Sequence, residues 1–466
     1  MDYVTTRGAA SGADFEAVLT VGLAPDGGLY VPSAWPRLTA YEMTAFAGAP
    51  YARAAADVLS QFAGDAFSHE ALLAMAEDAY GAFDHPDVAP LVQIGEEDWI
   101  LELFHGPTLA FKDFAMQLLG TLFDDVLMRR NERLTIVAAT SGDTGAAAIR
   151  ALAPCARVNV VVLHPEGRVT DVQRRMMTTV DKPNVMNIAV KGDFDDCQAI
   201  VKSLFADRAF VANVGLSGVN SINWARLAAQ TVYYFKASAA LGAPDEPIHF
   251  IVPTGNFGDV FAGYVAKRMG LNVGKLGVAT NANDILHRAL TTGDYTPAGV
   301  TPTMSPSMDI QVASNFERLL FDAQNRDGAA TKLLMEDFAK TKSMRIPAQA
   351  LAVMRDHFVS YATDEDATGD EIRRHLKETD ALIDPHTAVA RVGARALREE
   401  GGLEGRIVTL STAHPAKFPD AVRAATGRTP ALPPAYEDLF ERREYLDFAP
   451  AETTAVAAMI ADRFAC

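Results

Sequence analysis

The chain has 466 residues, 49% apolar and 22% charged, with a formal net charge of −17. That size suits two or three globular domains around a large core. The acidic balance excludes nucleic acid and anionic membranes as main partners, because both need basic patches, but it allows an anionic small molecule at a locally positive site. Three cysteines, Cys155, Cys197 and Cys466, show no CxxC spacing, which fits a reducing compartment with no disulfide framework and no metal site. Cys155 and Cys197 read as core fillers and Cys466 as an exposed tail thiol. The opening residues lack a basic stretch followed by an apolar one, and no apolar run is long enough for a membrane helix, so the expected location is the cytoplasm.

Residues 1–95 carry apolar residues at helical spacing and form a mostly helical N-terminal region, broken by turn residues over 22–32. Residues 99–104 read as a strand that leads into a helix with apolar positions at Phe114, Ala115, Leu118, Leu119, Leu122 and Val126. Residues 134–139 are a buried strand, 140–145 a glycine-containing loop and 146–152 a helix. Further strands are expected at 158–163, 185–190, 248–252, 275–279 and 406–410, with helices at 195–205 and 259–268. Residues 293–308 are rich in turn residues and read as an ordered loop. Short apolar strands alternating with helices imply an α/β fold with open parallel sheets covered on both faces. The expected division is a helical region over 1–95, then α/β parts over 96–240 and 241–466.

One lysine stands out. Lys112, in His105–Phe114 (HGPTLAFKDF), falls at the head of a helix in an apolar setting. Desolvation and the positive end of the helix dipole both disfavour its ammonium form. A neutral lysine amine is a nucleophile that forms Schiff bases with aldehydes, whereas a lone lysine is more commonly a snorkelling surface residue. Two loops strengthen the chemical reading: Ser141-Gly142-Asp143-Thr144-Gly145 and Gly255-Asn256-Phe257-Gly258. Each places glycines between a strand and a helix start, where free N–H groups can meet an anion. Neither matches a dinucleotide or triphosphate fingerprint. A third strand ends at Ser411 and Thr412, whose hydroxyls could hydrogen-bond a ring nitrogen. Together these point to a phosphate-bearing aldehyde cofactor, pyridoxal 5'-phosphate.

At this point the chain closely resembles the threonine synthases of the longer microbial and fungal type. The matching segments are 105–114, 139–145, 254–259, 219–226 (VNSINWAR), 308–318 (MDIQVASNFER), 410–418 (LSTAHPAKF), 3–8 and 26–32. The resemblance implies fold type II of the pyridoxal phosphate enzymes, with large and small open parallel-sheet domains and the cofactor between them. It implies Lys112 as the Schiff-base lysine and Gly255, Asn256, Phe257 and Gly258 as the phosphate cradle. Thr412, or its neighbour Ser411, is implied as the partner of the pyridine nitrogen, and Asp143 as a residue near the cofactor hydroxyl. Ser141, Thr144, Asn220, Ser221, Asn223 and Arg226 are candidates for gripping the substrate, with Arg226 foremost because a guanidinium matches a carboxylate or a phosphate in bidentate fashion.

The implied reaction is a lyase reaction in amino-acid biosynthesis. O-phospho-L-homoserine and water give L-threonine and phosphate through a Schiff base with the cofactor. The expected partners are the small-molecule substrate and, if any, further copies of the chain, as a monomer or small homo-oligomer. Three rival readings exist. One is a phospho-lyase releasing 2-oxobutyrate from the same substrate. The second is a dehydratase or sulfhydrylase of the same fold type, and the third a non-catalytic protein that binds a phosphometabolite. Lys417 and Arg318 are additional candidates for binding substrate phosphate.

Overall fold

Short, unbroken apolar runs become the strands of two parallel sheets, because strands covered on both faces have no solvent side to keep polar. The computed structural model describes residues 1–8, 11–219, 221–243 and 245–465. The larger sheet has six strands in the order Phe358–Ala362, Val273–Thr280, Ile248–Pro253, Ile407–Ser411, Asp98–Glu102 and Leu91–Gln93. Its neighbours run parallel except at the Leu91–Gln93 edge, which pairs antiparallel. The smaller sheet has five parallel strands in the order Asp447–Pro450, Val185–Lys191, Val158–Pro165, Leu134–Ala139 and Leu216–Ser217.

The strands expected at 134–139, 158–163, 185–190, 248–252, 275–279 and 406–410 all form. The helix expected at 146–152 starts earlier, at Asp143, and takes the second half of the glycine loop into its first turn. Phe358–Ala362, a full sheet member beside Val273–Thr280, was not expected. Its residues are mostly half-buried, so it lacks the continuous apolar run that marked the others.

Neither sheet is built from one contiguous stretch. Asp98–Glu102, in the stretch expected to form the first α/β part, pairs with Ile407–Ser411 in the larger sheet. Asp447–Pro450, from the chain's end, pairs with Val185–Lys191 in the smaller one. The chain thus crosses between the sheets three times, after Asp98–Glu102, after Leu216–Ser217 near the boundary expected at residue 240, and after Ile407–Ser411, because pairing partners lie far apart in sequence.

The N-terminal region has the expected helices Phe15–Val21, Ala40–Ala45, Tyr51–Ala63 and His69–Tyr80. It also contains an antiparallel sheet of Ser11–Ala13, Tyr3–Thr5 and Tyr30–Pro32. The turn-rich segment supplies the last of these strands. Buried tethers fix this region to the rest. Arg7 pairs with Glu317 at 2.8 Å, and the fully buried Arg318 donates from Nε to Tyr30 O at 3.0 Å. Cys155 and Cys197 are buried free thiols as expected, and burial pushes both up to about 12. Cys466 lies outside the described residues.

Four of the connections at the C-terminal ends of parallel strands follow Asp98–Glu102, Leu134–Ala139, Ile248–Pro253 and Ile407–Ser411. These are the edges where open α/β sheets bind ligands, and the four singled-out motifs lie on them.

Candidate active site

Lys112 is the first residue of the helix Lys112–Arg130, which has no side-chain cap. The helices Asp143–Leu152 and Gly258–Arg268 also begin without one. All three helix starts belong to the motifs singled out in the sequence, and helix starts attract anions. At Asp143–Leu152 the Gly145 N–H is already taken by Thr140 Oγ1 at 2.9 Å, and at Lys112–Arg130 the Asp113 and Phe114 N–H groups go to Ala110 O and Phe111 O. Other helices are capped, as by Thr170 and Asp193 with full capping boxes, although Tyr51–Ala63, Ile285–Thr292 and Ala348–His357 among others also begin without a side-chain cap.

The Lys112 loop is sewn to the end of Ile407–Ser411. Phe111 N donates to Thr412 O at 2.9 Å, His414 N to Leu109 O at 3.0 Å, and Leu103 N to Ser411 O at 2.9 Å. Inside the loop, Thr108 donates its backbone N–H and its hydroxyl to the two oxygens of Asp113, each at 2.7 Å. Burial pushes the Asp113 carboxyl up to about 6, against the lowering effect of these bonds. Gly106 is glycine because a Cβ there would sit 2.5 Å from the Asp113 Cβ.

Asp143 is the hub. Its Oδ1 receives Lys417 Nζ and Gln173 Nε2, both at 2.8 Å. Its Oδ2 receives Lys112 Nζ and the Ser307 hydroxyl, both at 3.3 Å. Burial works to raise this carboxyl, but Lys417 and Lys112 outweigh it and hold Asp143 well below the usual carboxylate range. The same burial lowers Lys112, aided by the cations Lys417 and Arg226 and opposed by Asp143. Lys112 is therefore a buried amine shifted toward its neutral, nucleophilic form. Gly142 follows from the same packing, since a Cβ there would meet the Gln173 side chain at 2.5 Å.

The Gly255–Gly258 loop lies against the turn Pro306–Met308. A Cβ on Gly255 would stand 2.8 Å from Ser307 O. Ser307 N donates to His386 Nε2 at 3.2 Å, and His386 Nδ1 lies 2.7 Å from Asp384 Oδ1. A neutral imidazole protonated on Nδ1 satisfies both contacts. Phe257 takes a left-handed conformation with φ 65°. Its ring packs into the core against Phe316 and Phe358, so only its backbone faces the loop. Asn256 is exposed, and its carbonyl accepts from Asn315 N at 3.0 Å.

The remaining sequence candidates divide. Arg226 is buried, and burial brings its guanidinium down to about 10. It donates to Val219 O at 2.9 Å, while its Nε has no partner among the described residues. A buried cation with an open donor and no carboxylate of its own suits an anionic ligand. Ser141 and Thr144 sit half-buried at the start of the helix Asp143–Leu152. Ser221 shares a hydrogen bond with Ser314 at 3.0 Å.

Asn223 is spent differently. It is fully buried, caps Trp224–Ala240 by accepting from Ala225 N at 3.0 Å, and donates to Leu19 O at 2.8 Å. Its side-chain oxygen and amide are thus both engaged within the fold. Asn220 lies outside the described residues. Arg318 binds backbone carbonyls of Tyr30 and Ile222, and Lys417 is fully buried against Asp143.

Ser411 and Thr412 differ as well. The Ser411 hydroxyl contacts Thr387 Oγ1 at 2.9 Å, which in turn hydrogen-bonds Asp384. The Thr412 hydroxyl has no partner among the described residues. Sequence reading did not single out Gln173, Ser307 or Asp384, and gave His386 only as a histidine that could touch the site. The four come from three separate segments, Asp384 and His386 sharing the start of the helix Pro385–Glu399.

Comparison with known proteins agrees with this geometry. Residues 2–80 match a family model described as threonine synthase N terminus. Residues 88–332 match pyridoxal-phosphate dependent enzyme, and 387–460 match threonine synthase, C-terminal. The chain is 49% identical to a threonine synthase of Pseudomonas aeruginosa, over 99% of this chain and 98% of that one. It is 40% identical to a threonine synthase of Schizosaccharomyces pombe, over 91% and 89% of the two chains. Its structure superposes on a crystal structure of PLP-bound threonine synthase from Brucella melitensis with a TM-score of 0.96 and 47% identity, covering 100% and 99% of the chains. Threonine synthase from yeast gives a TM-score of 0.94 at 35% identity, covering 99% and 98%. The chain belongs to the threonine synthase family.

Proposed function

We propose that the protein converts O-phospho-L-homoserine and water to L-threonine and phosphate, the last step of threonine biosynthesis, with pyridoxal 5'-phosphate as cofactor. The observation that carries this reading is Lys112: a buried amine shifted toward its neutral form, at an uncapped helix start, 3.3 Å from Asp143. The residues present fit the cofactor. Lys112 supplies the amine for its aldehyde, the Gly255–Gly258 loop an uncapped helix start for its phosphate, and Thr412 a hydroxyl for its ring nitrogen. The open Thr412 hydroxyl favours it over Ser411, which is engaged with Thr387. The open Nε of Arg226 fits a substrate carboxylate or phosphate.

When bound, pyridoxal phosphate supplies the electron sink for charge that develops beside the substrate nitrogen. Lys112 Nζ is then the base that takes the substrate's α-proton and returns protons later, a role that needs an amine partly neutral at working pH. Arg226, with Ser141, Thr144 and Ser221, holds the substrate's anionic groups. N–H groups at the uncapped helix starts steady the departing phosphate oxygens. Asp143 keeps the amine placed while its charge changes. A neutral hydroxyl at the ring nitrogen limits how electron-poor the ring becomes.

The reading extends to a cytoplasmic enzyme that works as a monomer or small homo-oligomer. Among the described residues no helix is long and apolar enough to cross a membrane. The test is product analysis with purified protein, cofactor and O-phospho-L-homoserine. Threonine should appear in step with phosphate and vanish in Lys112→Ala. Phosphate with 2-oxobutyrate would assign a phospho-lyase instead, and no phosphate release at all would refute both.

A further inference from the structure

Lys417 is a fully buried cation with no role in the scheme above. It sits on the short turn Pro415–Lys417, just past the strand end that anchors the Lys112 loop. Its ammonium donates to Thr108 O at 2.6 Å and lies 2.8 Å from Asp143 Oδ1. The two oxygens of Asp143 are thus divided. Oδ1 is gripped at 2.8 Å by Lys417 and Gln173, and Oδ2 faces Lys112 and Ser307 at the longer distance of 3.3 Å.

We propose that Lys417 is a positioning residue: its buried ion pair with Asp143 offsets that carboxylate and so sets the balance between Asp143 and the Lys112 amine. The inference rests on the reading of Lys112 as the Schiff-base lysine. A carboxylate with Lys112 as its sole cation would hold the amine protonated and stranded as a cation. It would also be left buried and uncompensated whenever Lys112 gave up its charge. Lys417 bears on both problems, because its ammonium is held on Asp143 Oδ1 and Thr108 O independently of Lys112.

The charged groups bearing on Lys112 come from each element packed around it. They are Asp143 at the start of Asp143–Leu152, Arg226 on Trp224–Ala240, and Lys417 on its turn. Lys417 also bears on Asp113, the neighbour of Lys112 on its own helix. Burial lowers Lys112 first, and Lys417 and Arg226 add to that while Asp143 opposes it. Removal of Lys417 should therefore raise the proton affinity of Lys112, and removal of Asp143 should lower it. Removal of both should nearly cancel.

The experiment follows competitive acetylation of Lys112 in the full-length apoprotein near neutral pH, read by mass spectrometry, so it needs no turnover. Lys417→Met should label about tenfold more slowly than wild type and Asp143→Asn faster, while the double variant should label within about twofold of wild type. Equal labelling of Lys417→Met and wild type overturns the proposal. If Lys417→Met fails to fold, the double variant decides. Labelling like wild type supports the pair, and labelling like Asp143→Asn alone overturns it. Borohydride reduction of the wild-type holoenzyme separately asks whether the cofactor is trapped on Lys112. Failure there sinks the reading of Lys112 without touching the labelling result.

Discussion

Gly255→Ala makes a demanding test of how the phosphate loop is built. Gly255 does not have the positive φ that favours glycine, so conformational freedom is not its reason. Its reason is contact. An added Cβ would lie 2.8 Å from Ser307 O and 3.4 Å from Met308 Cα, both backbone atoms that cannot rotate aside. Relieving the first contact to an ordinary separation moves one segment by about 0.6 Å, the shortfall of a 2.8 Å contact from the 3.4 Å at which normal packing begins. The Ser307 turn resists, because its N–H is bound to His386 at 3.2 Å and its hydroxyl to Asp143 at 3.3 Å. The loop must yield instead, or those bonds must stretch. Overpacking of this kind costs about 1–3 kcal/mol, and a displacement inside a ligand cradle carries through to affinity. The expected outcome is cofactor binding weaker by roughly 10- to 100-fold, measured by absorbance titration of the apoprotein. Gly48→Ala is the control: nothing lies within 4 Å of its added Cβ, so it should bind as wild type. Wild-type affinity in Gly255→Ala would refute the contact argument.

Two further predictions concern buried charge. Arg226→Met removes a buried guanidinium with an open donor, a group that costs about 1–3 kcal/mol while unpaired. The apoprotein should therefore unfold in urea no more easily than wild type, while KM for substrate rises about tenfold or more. An unchanged KM with a less stable apoprotein would make Arg226 structural. Asp259 is buried, accepts from Tyr233 at 2.5 Å and Tyr234 at 3.0 Å, and has no partner for its Oδ2 among the described residues. Burial pushes its carboxyl up to about 6 from 3.8, against the two tyrosine hydroxyls. The folded state then holds a proton that the unfolded state has lost. Its contribution is full below pH 3.8 and fades as pH rises through 6, by about 3 kcal/mol across the window. Asp259→Asn should erase that part of the slope in urea unfolding measured from pH 4 to pH 7, and an unchanged slope would refute it.

The sequence by itself determined the local pieces. Unbroken apolar runs marked six strands, glycine pairs marked two helix starts, and Lys112 fell where burial and the helix dipole lower its proton affinity. Those signals are local, because strand burial, turn conformation and capping depend on residues a few positions apart. The tertiary structure alone decided what depends on distant partners. It paired Asp98–Glu102 with Ile407–Ser411, added the half-polar strand Phe358–Ala362, and placed Asn223 as the cap of Trp224–Ala240. It also set Lys417 against Asp143 and Ser307 against Gly255. Such contacts leave no period in the chain. The proton balance at Lys112 is therefore written across segments that meet only once the sheets have assembled.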